Sequence, residues 1–219
     1  MTRPDGYVPA FGFDALTRFY DPLLSLTLRE RKLKTRLIEQ ARIAAGHDVL
    51  DVGCGTGTLV LLAKQLVPGA RVTGLDGDPA VLAIARRKLA RAGADVSLVE
   101  GLANESPVFA PASFDRVLTS LVLHHLTHEQ RGSALAAMRR WLRPGGELHV
   151  LDFGPQDALA MKAISRVVGW FDGAERLADN WGGRLPELMR NAGFADADER
   201  GRALTPFGSV SFYAGSTRA

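Results

Sequence analysis

Short apolar runs alternate with helical patterns between residues 48 and 153, and this alternation constrains the fold more than any other feature of the chain. The runs have the length and composition of buried strands, and they cover residues 49–52, 71–75, 96–99, 114–119 and 147–153. Strands that alternate with helices form βαβ units, whose right-handed crossovers build a doubly wound parallel sheet covered by helices on both faces. We therefore predict an α/β fold with ligands bound beyond the carboxyl ends of its strands.

Helix-capping residues support the alternation. Asp78 and Pro79 have the residue types of an N-cap and of a first helical position. Thr127 and Gln130 have the spacing of a capping box. The segment Pro144-Gly145-Gly146 predicts a turn before the fifth strand.

Three glycines within five residues follow the first strand, in the segment Gly53-Cys54-Gly55-Thr56-Gly57. Such a loop turns tightly, lets a ligand approach the backbone and, with the helix after it, presents amides to a negative group. Its G-x-G-x-G spacing differs from the G-x-G-x-x-G of dinucleotide sites. A tight turn without a ligand is the alternative.

Asp76 follows the second strand, nineteen positions beyond Gly57. A carboxylate at this point suits the two hydroxyls of a ribose, although a turn residue before Gly77 would look the same. The glycine loop and the acid together indicate a nucleoside ligand that carries an anionic group.

The composition favours a reduced globular protein of 219 residues, with 46% hydrophobic residues and a net charge of +3. Cys54 is the only cysteine, which excludes an intrachain disulfide and a multi-cysteine zinc site. No apolar run approaches the roughly 18–20 residues of a membrane span, and no apolar signal stretch follows Met1, so we expect a cytoplasmic protein. We predict a single domain, residues 1–219, with a helical lid at 1–45, a ligand-binding core at 46–153, and a lid segment and C-terminal strands at 154–219.

An amphipathic basic helix is predicted over residues 26–44, because Leu33, Leu37 and Ala41 recur at helical spacing. We interpret its basic side as a solvated face, with docking to a membrane surface or a nucleic acid as the alternatives. The basic residues assigned to this outer face are Arg29, Arg31, Lys32, Lys34, Arg36 and Arg42.

Several segments resemble the motifs of class I S-adenosylmethionine-dependent methyltransferases, in the expected order and spacing. Residues 49–59 look like the first motif of that family, and residues 72–79 resemble its second strand with a ribose-binding acid. Residues 113–126 resemble its fourth strand and the following loop, and residues 142–146 resemble the turn before its fifth strand. The tail, residues 185–208, is similar to its final helix and two strands. The resemblance implies a Rossmann-like sheet of seven strands, the last one antiparallel, with S-adenosyl-L-methionine as cofactor.

The resemblance also implies roles for individual residues. The methionine end of the cofactor would lie against the first strand and the glycine loop, the ribose against the acid after the second strand, and the adenine beside residues 77, 102 and 103. Leu102 stands where many relatives have an acid, so a backbone amide or Asn104 would contact the adenine amine. Gly77 replaces a bulkier apolar residue, which implies looser packing of the adenine. The cofactor-binding residues implied are Tyr20, Asp51, Gly53, Cys54, Gly55, Gly57, Asp76, Gly77, Leu102, Ala103 and Ser120.

Candidate catalytic residues follow the fourth strand, where the reacting methyl group would lie. His124, His125 and His128 cluster there, and a histidine could deprotonate a phenol or an enolisable ring carbon near neutral pH. His125 matches a catalytic histidine of some amine methyltransferases and is our preferred base, with Tyr20 as a partner that orients it or contacts cofactor. Asp152, at the end of the fifth strand, is a further candidate. A packing role is the alternative for each of them.

A metal site is not predicted. His124 and His125 are adjacent and would point apart on a strand, and the sequence has no H-x-x-x-H motif.

The implied function is methyl transfer to a small apolar or aromatic molecule, at a quinol- or phenol-type carbon or oxygen. Residues 19–22 and the basic helix are similar to the start of ubiquinone/menaquinone-type C-methyltransferases and of small phospholipid N-methyltransferases. Phospholipid or small-amine N-methylation, with a peripheral membrane contact, is therefore an alternative. A non-catalytic protein that binds S-adenosylmethionine is another. The absence of an N-P-P-Y-type motif argues against a nucleic-acid substrate.

Overall fold

A computed structural model describes residues 30–104, 108–155, 182–205 and 208–218. Within these residues seven strands form one sheet in the order β3-β2-β1-β4-β5-β7-β6. The strands are β1 Asp48–Val52, β2 Arg71–Asp76, β3 Ser97–Glu100, β4 Phe114–Ser120, β5 Leu142–Phe153, β6 Ala195–Thr205 and β7 Gly208–Ser216. The pairings from β3 to β5 are parallel, whereas β7 runs antiparallel to both of its neighbours. The predicted Rossmann-like, doubly wound sheet with an antiparallel last strand is confirmed.

Two of the helices begin at the capping residues that the sequence predicts. Asp78 accepts hydrogen bonds from the N–H groups of Ala80 and Val81, and Thr127 and Gln130 form the predicted capping box. None of the helices in the described ranges is long and apolar enough to cross a membrane. The helices are α1 Glu30–Ala41, α2 Thr58–Leu66, α3 Pro79–Arg91, α4 His128–Trp141 and α5 Leu185–Asn191, and residues Leu123–His125 form a single 3₁₀ turn.

Side chains of alternate strand residues enter two separate cores, one on each face of the sheet. Val49 belongs to the core that α1, α2 and α3 cover, whereas its neighbour Leu50 belongs to the core that α4 and α5 cover. Both residues are fully buried. Because both faces of the sheet are buried, a ligand can reach it only at the ends of the strands. In a parallel sheet of this kind the ligand site lies at the carboxyl ends.

The fifth strand begins earlier than predicted. Residues Leu142–Phe153 form one strand that includes the Pro-Gly-Gly segment, and the register to β4 shifts between Phe114 and Arg116. Gly145 has a φ of +74°, so the segment forms an irregularity within the strand rather than a turn before it.

Helix α1 is less solvated on its basic side than predicted. Arg31, Lys32 and Arg36 are exposed, but the Lys34 side chain is only 12% exposed and its Nζ lies 2.5 Å from Glu30 Oε1. The guanidinium of Arg36 lies 4.3 Å from the ring centre of Phe212. The assignment of Lys34 to a solvated outer face is therefore wrong, because the helix packs this side chain toward the sheet.

Parts of the predicted lids lie outside the described residues. These parts are residues 1–29 and residues 156–181, so the division of the chain into lids and core stays a prediction.

Candidate active site

The candidate site lies where four neighbouring strands end at one edge of the sheet. Val52 at the end of β1 pairs with Leu75 of β2 on one side and with Thr119 of β4 on the other. Ser120 of β4 pairs with Leu151 near the end of β5. The residues that follow these strands are therefore brought together, as the sequence predicts for a parallel sheet.

The glycine loop has a backbone that other residues would not adopt easily. Gly53, Gly55 and Gly57 have φ values of +71°, +55° and +80°, in the left-handed region that disfavours side chains. Gly53 also lies against the loop after β4, because a Cβ placed on it would be 2.4 Å from Val122 Cγ2. The first glycine is thus required by both conformation and space.

Most of the loop amides are engaged within the chain. The N–H groups of Gly53 and Cys54 both donate to Leu75 O, at 2.8 and 2.9 Å, and Gly57 N donates to Cys54 O. Gly55 N donates to Asp76 Oδ2 at 2.8 Å. An anionic ligand group would therefore meet the first turn of α2, whose N–H groups have no partner within the helix, rather than these amides.

Asp76 is fixed by the backbone while keeping acceptor capacity. Its Oδ2 accepts from Gly55 N and its Oδ1 accepts from Asp78 N at 3.0 Å. Burial raises the pKa of Asp76, and the hydrogen bonds from Asp78 and Gly55 oppose that rise. Each carboxylate oxygen has lone pairs left, so the side chain can still accept from two adjacent hydroxyls.

Asp51 is the least satisfied polar group at the site. It is 2% exposed, and neither carboxylate oxygen has a hydrogen-bond partner among the residues that the structure describes. Burial raises the pKa of Asp51 to about 7, with Lys34 opposing the rise and Asp76 adding to it. A buried carboxylate in this state favours a cationic or hydrogen-bond-donating partner.

Lys34 is a site neighbour that sequence reasoning missed. Its charge lowers the pKa values of both Asp51 and Cys54, so α1 brings a positive group toward the end of β1. Helical periodicity identifies Leu33 and Leu37 as core residues, but it cannot show that the long Lys34 side chain extends toward the sheet.

Gly77 and Leu102 are the two departures from the family pattern, and they lie against each other. A Cβ on Gly77 would come within 2.3 Å of Leu102 Cδ2. Gly101 N donates to Asp76 O at 3.0 Å, which holds this loop against the end of β2. Leu102 therefore fills the volume that a larger residue at position 77 would take.

Two predicted site residues, Ala103 and Ser120, lie at the same edge. Ala103 is buried, and the Ser120 hydroxyl is buried without a hydrogen-bond partner in the described part of the chain. Asn104 is partly buried. The roles of these residues toward a cofactor stay predictions.

The histidines after β4 lie on a 3₁₀ turn, not on a strand. The ring centres of His124 and His125 are 3.9 Å apart, so the expectation that adjacent side chains point apart is wrong. His124 is 3% exposed and its Nδ1 lies 2.7 Å from Asp152 Oδ1, whereas His125 is partly exposed. His128 is exposed at the start of α4.

Asp152 contacts His124 and is fully buried. Burial opposes its ionisation, but the charge and hydrogen bond of His124, the Phe153 N–H and the charge of Arg131 together lower the pKa of Asp152. Asp152 thus supports a histidine instead of facing an acceptor itself.

Two other predictions concern Tyr20 and metals. Tyr20, the predicted partner of His125, lies outside the described residues. In the part of the chain that the structure describes, no cluster of three or more His, Cys, Asp or Glu side chains is arranged to hold a metal ion.

Cys54 is buried, and burial together with Asp51 and Asp76 raises the pKa of its thiol, so it packs as a neutral side chain.

Comparison with known proteins agrees with this geometry. A family model described as "Methyltransferase domain" matches residues 49–146. The chain is 37% identical over 134 residues to the demethylmenaquinone methyltransferase of Thermus thermophilus, covering 61% of this chain and 60% of that protein. It is 38% identical over 142 residues to the ubiquinone/menaquinone biosynthesis C-methyltransferase of Bordetella avium, covering 64% of this chain and 53% of that protein. The matched region thus spans little more than half of each relative.

Solved structures share the fold at lower identity. Phosphoethanolamine N-methyltransferase 2 of Haemonchus contortus, in complex with S-adenosyl-L-methionine, has a TM-score of 0.68 and 17% identity, covering 86% of this chain and 53% of that chain. The methyltransferase SibL in its apo form has a TM-score of 0.70 and 23% identity, covering 97% of this chain and 60% of that chain. The [4+2]-cyclase SpnF has a TM-score of 0.62 and 24% identity, covering 77% of this chain and 60% of that chain. At such identities the likeness shows the fold alone.

The sheet order and the matching family model identify a methyltransferase domain over residues 49–146, with the glycine loop and the strand-end acid at its carboxyl edge. The chain is similar to class I S-adenosylmethionine-dependent methyltransferases, and the two curated relatives are named for demethylmenaquinone methylation and for ubiquinone/menaquinone biosynthesis.

Proposed function

We propose that this chain binds S-adenosyl-L-methionine at the carboxyl edge of the sheet and catalyses methyl transfer to a small apolar or aromatic acceptor. The observation that carries the proposal is the buried carboxylate of Asp51, for whose two oxygens the described residues supply no hydrogen-bond partner. Burying a polar group without a hydrogen bond costs about 1–3 kcal/mol or more, so a site that keeps such a group is suited to a ligand that satisfies it. The amino group at the methionine end of the cofactor is a donor of the required charge.

Different residues at the carboxyl ends of the strands would bind different parts of the cofactor. Asp51 would hold the amino group, and the first turn of α2 would face the carboxylate. Asp76, held by Gly55 and Asp78, would accept the two ribose hydroxyls. Leu102 and Ala103 would form the apolar wall beside the adenine. The bound cofactor would supply an electrophilic methyl group.

The loop after β4 would present the groups that act on the acceptor. His125 is partly exposed and stands beside the fixed ring of His124, so it is our candidate for taking the acceptor's proton. Alignment and the exclusion of water would supply the remainder of the catalysis. Tyr20 and residues 156–181 are proposed to complete the acceptor pocket.

A quinol- or phenol-type carbon or oxygen is the acceptor that we favour. The Thermus thermophilus and Bordetella avium relatives are named for demethylmenaquinone and for ubiquinone/menaquinone biosynthesis. A phenol or quinol becomes a stronger nucleophile when its hydroxyl group loses a proton. A histidine base could remove that proton. An amine already carries a lone pair and needs less from such a base.

Calorimetry tests the binding step. Titration of S-adenosylmethionine and of its demethylated product, near pH 7 and in two buffers of different ionisation enthalpy, should show release of about half a proton, because cation binding favours ionised Asp51. Asp51→Asn should weaken binding and remove the proton release. Asp95→Asn, which changes an exposed acid, is the control. Absence of binding to the unsubstituted protein would overturn the proposal.

A labelled-methyl screen over phenols, quinols, amines and phospholipids tests the acceptor. Label on a quinol or phenol supports the favoured class. Label on a phospholipid or small amine would support the N-methyltransferase alternative, with a peripheral membrane contact. Tight cofactor binding without any transfer would favour a non-catalytic binding protein. Transfer to a nucleic acid would contradict the small-molecule proposal.

A further inference from the structure

Buried charged side chains hold the turn that carries the candidate base. We call residues 123–126 the histidine turn. From β5, the carboxylate of Asp152 is 2.7 Å from His124 Nδ1 and accepts a second hydrogen bond, at 3.3 Å, from the His124 backbone N–H. Phe153 N donates to the same carboxylate at 2.7 Å. Asp152 thus fixes both the backbone and the ring of His124.

Arg131 holds the same turn from the other side. It belongs to α4 and is fully buried. Its Nε donates to Leu123 O at 3.0 Å and its guanidinium donates to Leu126 O at 3.2 Å. These two carbonyls belong to the first and last residues of the histidine turn. Helix α4 and strand β5, which are distant from each other in the sequence, therefore both hold the histidine turn through hydrogen bonds.

The four residues of the histidine turn are held by charged groups rather than by apolar packing. Removing a carboxylate, an imidazole and a guanidinium from water costs more than packing apolar side chains of similar volume. Such groups are retained where orientation matters, since a carboxylate bonded to one ring nitrogen sets the tautomer and the direction of an imidazole. The His125 ring, 3.9 Å from that of His124, is then restricted by a fixed neighbour.

We propose that Asp152, His124 and Arg131 are positioning residues that preset the ring of His125 for proton abstraction from the acceptor. The proposal rests on the function proposed above. Within the described residues, the charged or titratable groups that interact with Asp152 include His124, Arg131 of α4 and Tyr213 of β7. Burial, and to a smaller degree Asp152, raises the pKa of the Tyr213 phenol, so Tyr213 stays neutral at physiological pH.

Asp152→Asn tests the proposal, because it keeps the side-chain volume and removes the charge. We expect kcat to fall about 10- to 100-fold, as when the partner that orients a functional histidine is lost, with KM for S-adenosylmethionine unchanged. Arg131→Lys should retain more activity than Arg131→Met, since a lysine can still donate to one of the two carbonyls. Wild-type kcat in Asp152→Asn would overturn the proposal.

A second histidine–carboxylate pair on the same strand supplies a control. His149 Nε2 lies 2.9 Å from Glu147 Oε2 in the middle of β5, and His149 is buried like His124 whereas Glu147 is partly exposed. Glu147→Gln should leave kcat unchanged even where it lowers the melting temperature. Equal losses of kcat in Glu147→Gln and Asp152→Asn would mean that general destabilisation explains the loss in Asp152→Asn. That result would overturn the proposal.

Histidine-selective ¹⁵N NMR separates failure of the positioning proposal from failure of the proposed function. If the unsubstituted protein transfers no methyl group, the proposed function fails, and the His125 ring resonances alone decide the positioning role. Resonances that shift or broaden in Arg131→Lys and stay unchanged in Glu147→Gln support it. Resonances unaffected by Arg131→Lys overturn it. This variant also serves if Asp152→Asn does not fold.

Discussion

Leu102 and Gly77 are complementary in shape: the leucine side chain occupies the place where a side chain on residue 77 would lie, within 2.3 Å of the position of its Cβ. The two residues are joined through Asp76, whose carbonyl accepts from Gly101 N. Each residue departs from the family pattern when considered alone. Together they keep the wall beside the predicted adenine position filled.

A double-mutant cycle should reveal this coupling. Gly77→Ala has no unfavourable φ to overcome, so it should cost about 1 kcal/mol through overpacking against Leu102. In a Leu102→Ala background the same change should cost nothing, because the crowding atoms are gone. Urea unfolding of the four proteins gives the interaction free energy. Additive effects at the two positions would show that the crowding is relieved elsewhere.

Asp51 should make stability depend on pH. Its pKa is about 7 in the folded chain, against 3.8 ordinarily, so the folded state holds the proton more tightly. The contribution of this group to the free energy of unfolding therefore falls as pH rises from about 4 to about 7, by up to about 4 kcal/mol, and is constant above. Asp51→Asn should remove this loss and be more stable than the unsubstituted protein at pH 8, but not at pH 4.

Urea denaturation of both proteins across this pH range measures the effect. Other titrating groups, such as His149 and Asp152, are present in both proteins and cancel in the difference. A stability difference that does not change with pH would contradict an elevated pKa for Asp51. Saturating S-adenosylmethionine should diminish the difference by stabilising only the protein with an intact carboxylate.

Gly53→Ala should damage the glycine loop more than its φ alone explains. The new Cβ would have a φ of +71° and a contact of 2.4 Å with Val122 Cγ2. We expect a loss of at least about 2 kcal/mol, from backbone strain and overpacking together. Gly46→Ala is the matched control, since Gly46 has a φ of +85° but no atom within 4 Å of the built Cβ. It should lose only about 1 kcal/mol. Thermal melts that rank the two variants equally would contradict the close approach of Val122.

Asp78→Ala should cost about 1 kcal/mol of stability through loss of the N-cap of α3. The Asp78 carboxylate accepts from Ala80 N at 2.8 Å and from Val81 N at 3.4 Å. Asp95→Ala, at an exposed position beyond the same helix, removes the same charge without a cap and should change stability little. Equal denaturation midpoints for the two variants would mean that the cap contributes nothing.

Much of the fold could be predicted because its signals are local. Apolar runs, the capping residues Asp78 and Thr127, and the glycines of the loop act within a few positions of themselves, and the structure confirms the elements that they define. The position of Asp76 beside the glycine loop also followed, because parallel strands must bring their carboxyl ends together. The C-terminal strands were expected from family resemblance instead.

The pattern misled where a local signal was overridden by packing. Pro144-Gly145-Gly146 predicts a turn, yet pairing with β4 draws the segment into the strand. The side chains of the adjacent histidines are expected to point apart, as they would on a strand, but the chain after Ser120 forms a 3₁₀ turn through bonds such as His125 N to Val122 O.

The sequence by itself determined the order of the elements, the glycine bend and the acid that follows the second strand, since each depends on neighbours along the chain. Only the tertiary structure decided that Leu102 fills the space above Gly77, that the charge of Lys34 acts on Asp51, and that Asp152 of β5 contacts His124. Such interactions join residues that are 17 to 28 positions apart, as in the Lys34–Asp51 and His124–Asp152 pairs. Their existence depends on which strand ends and helix faces meet, and the periodicity of a single element carries no information about that.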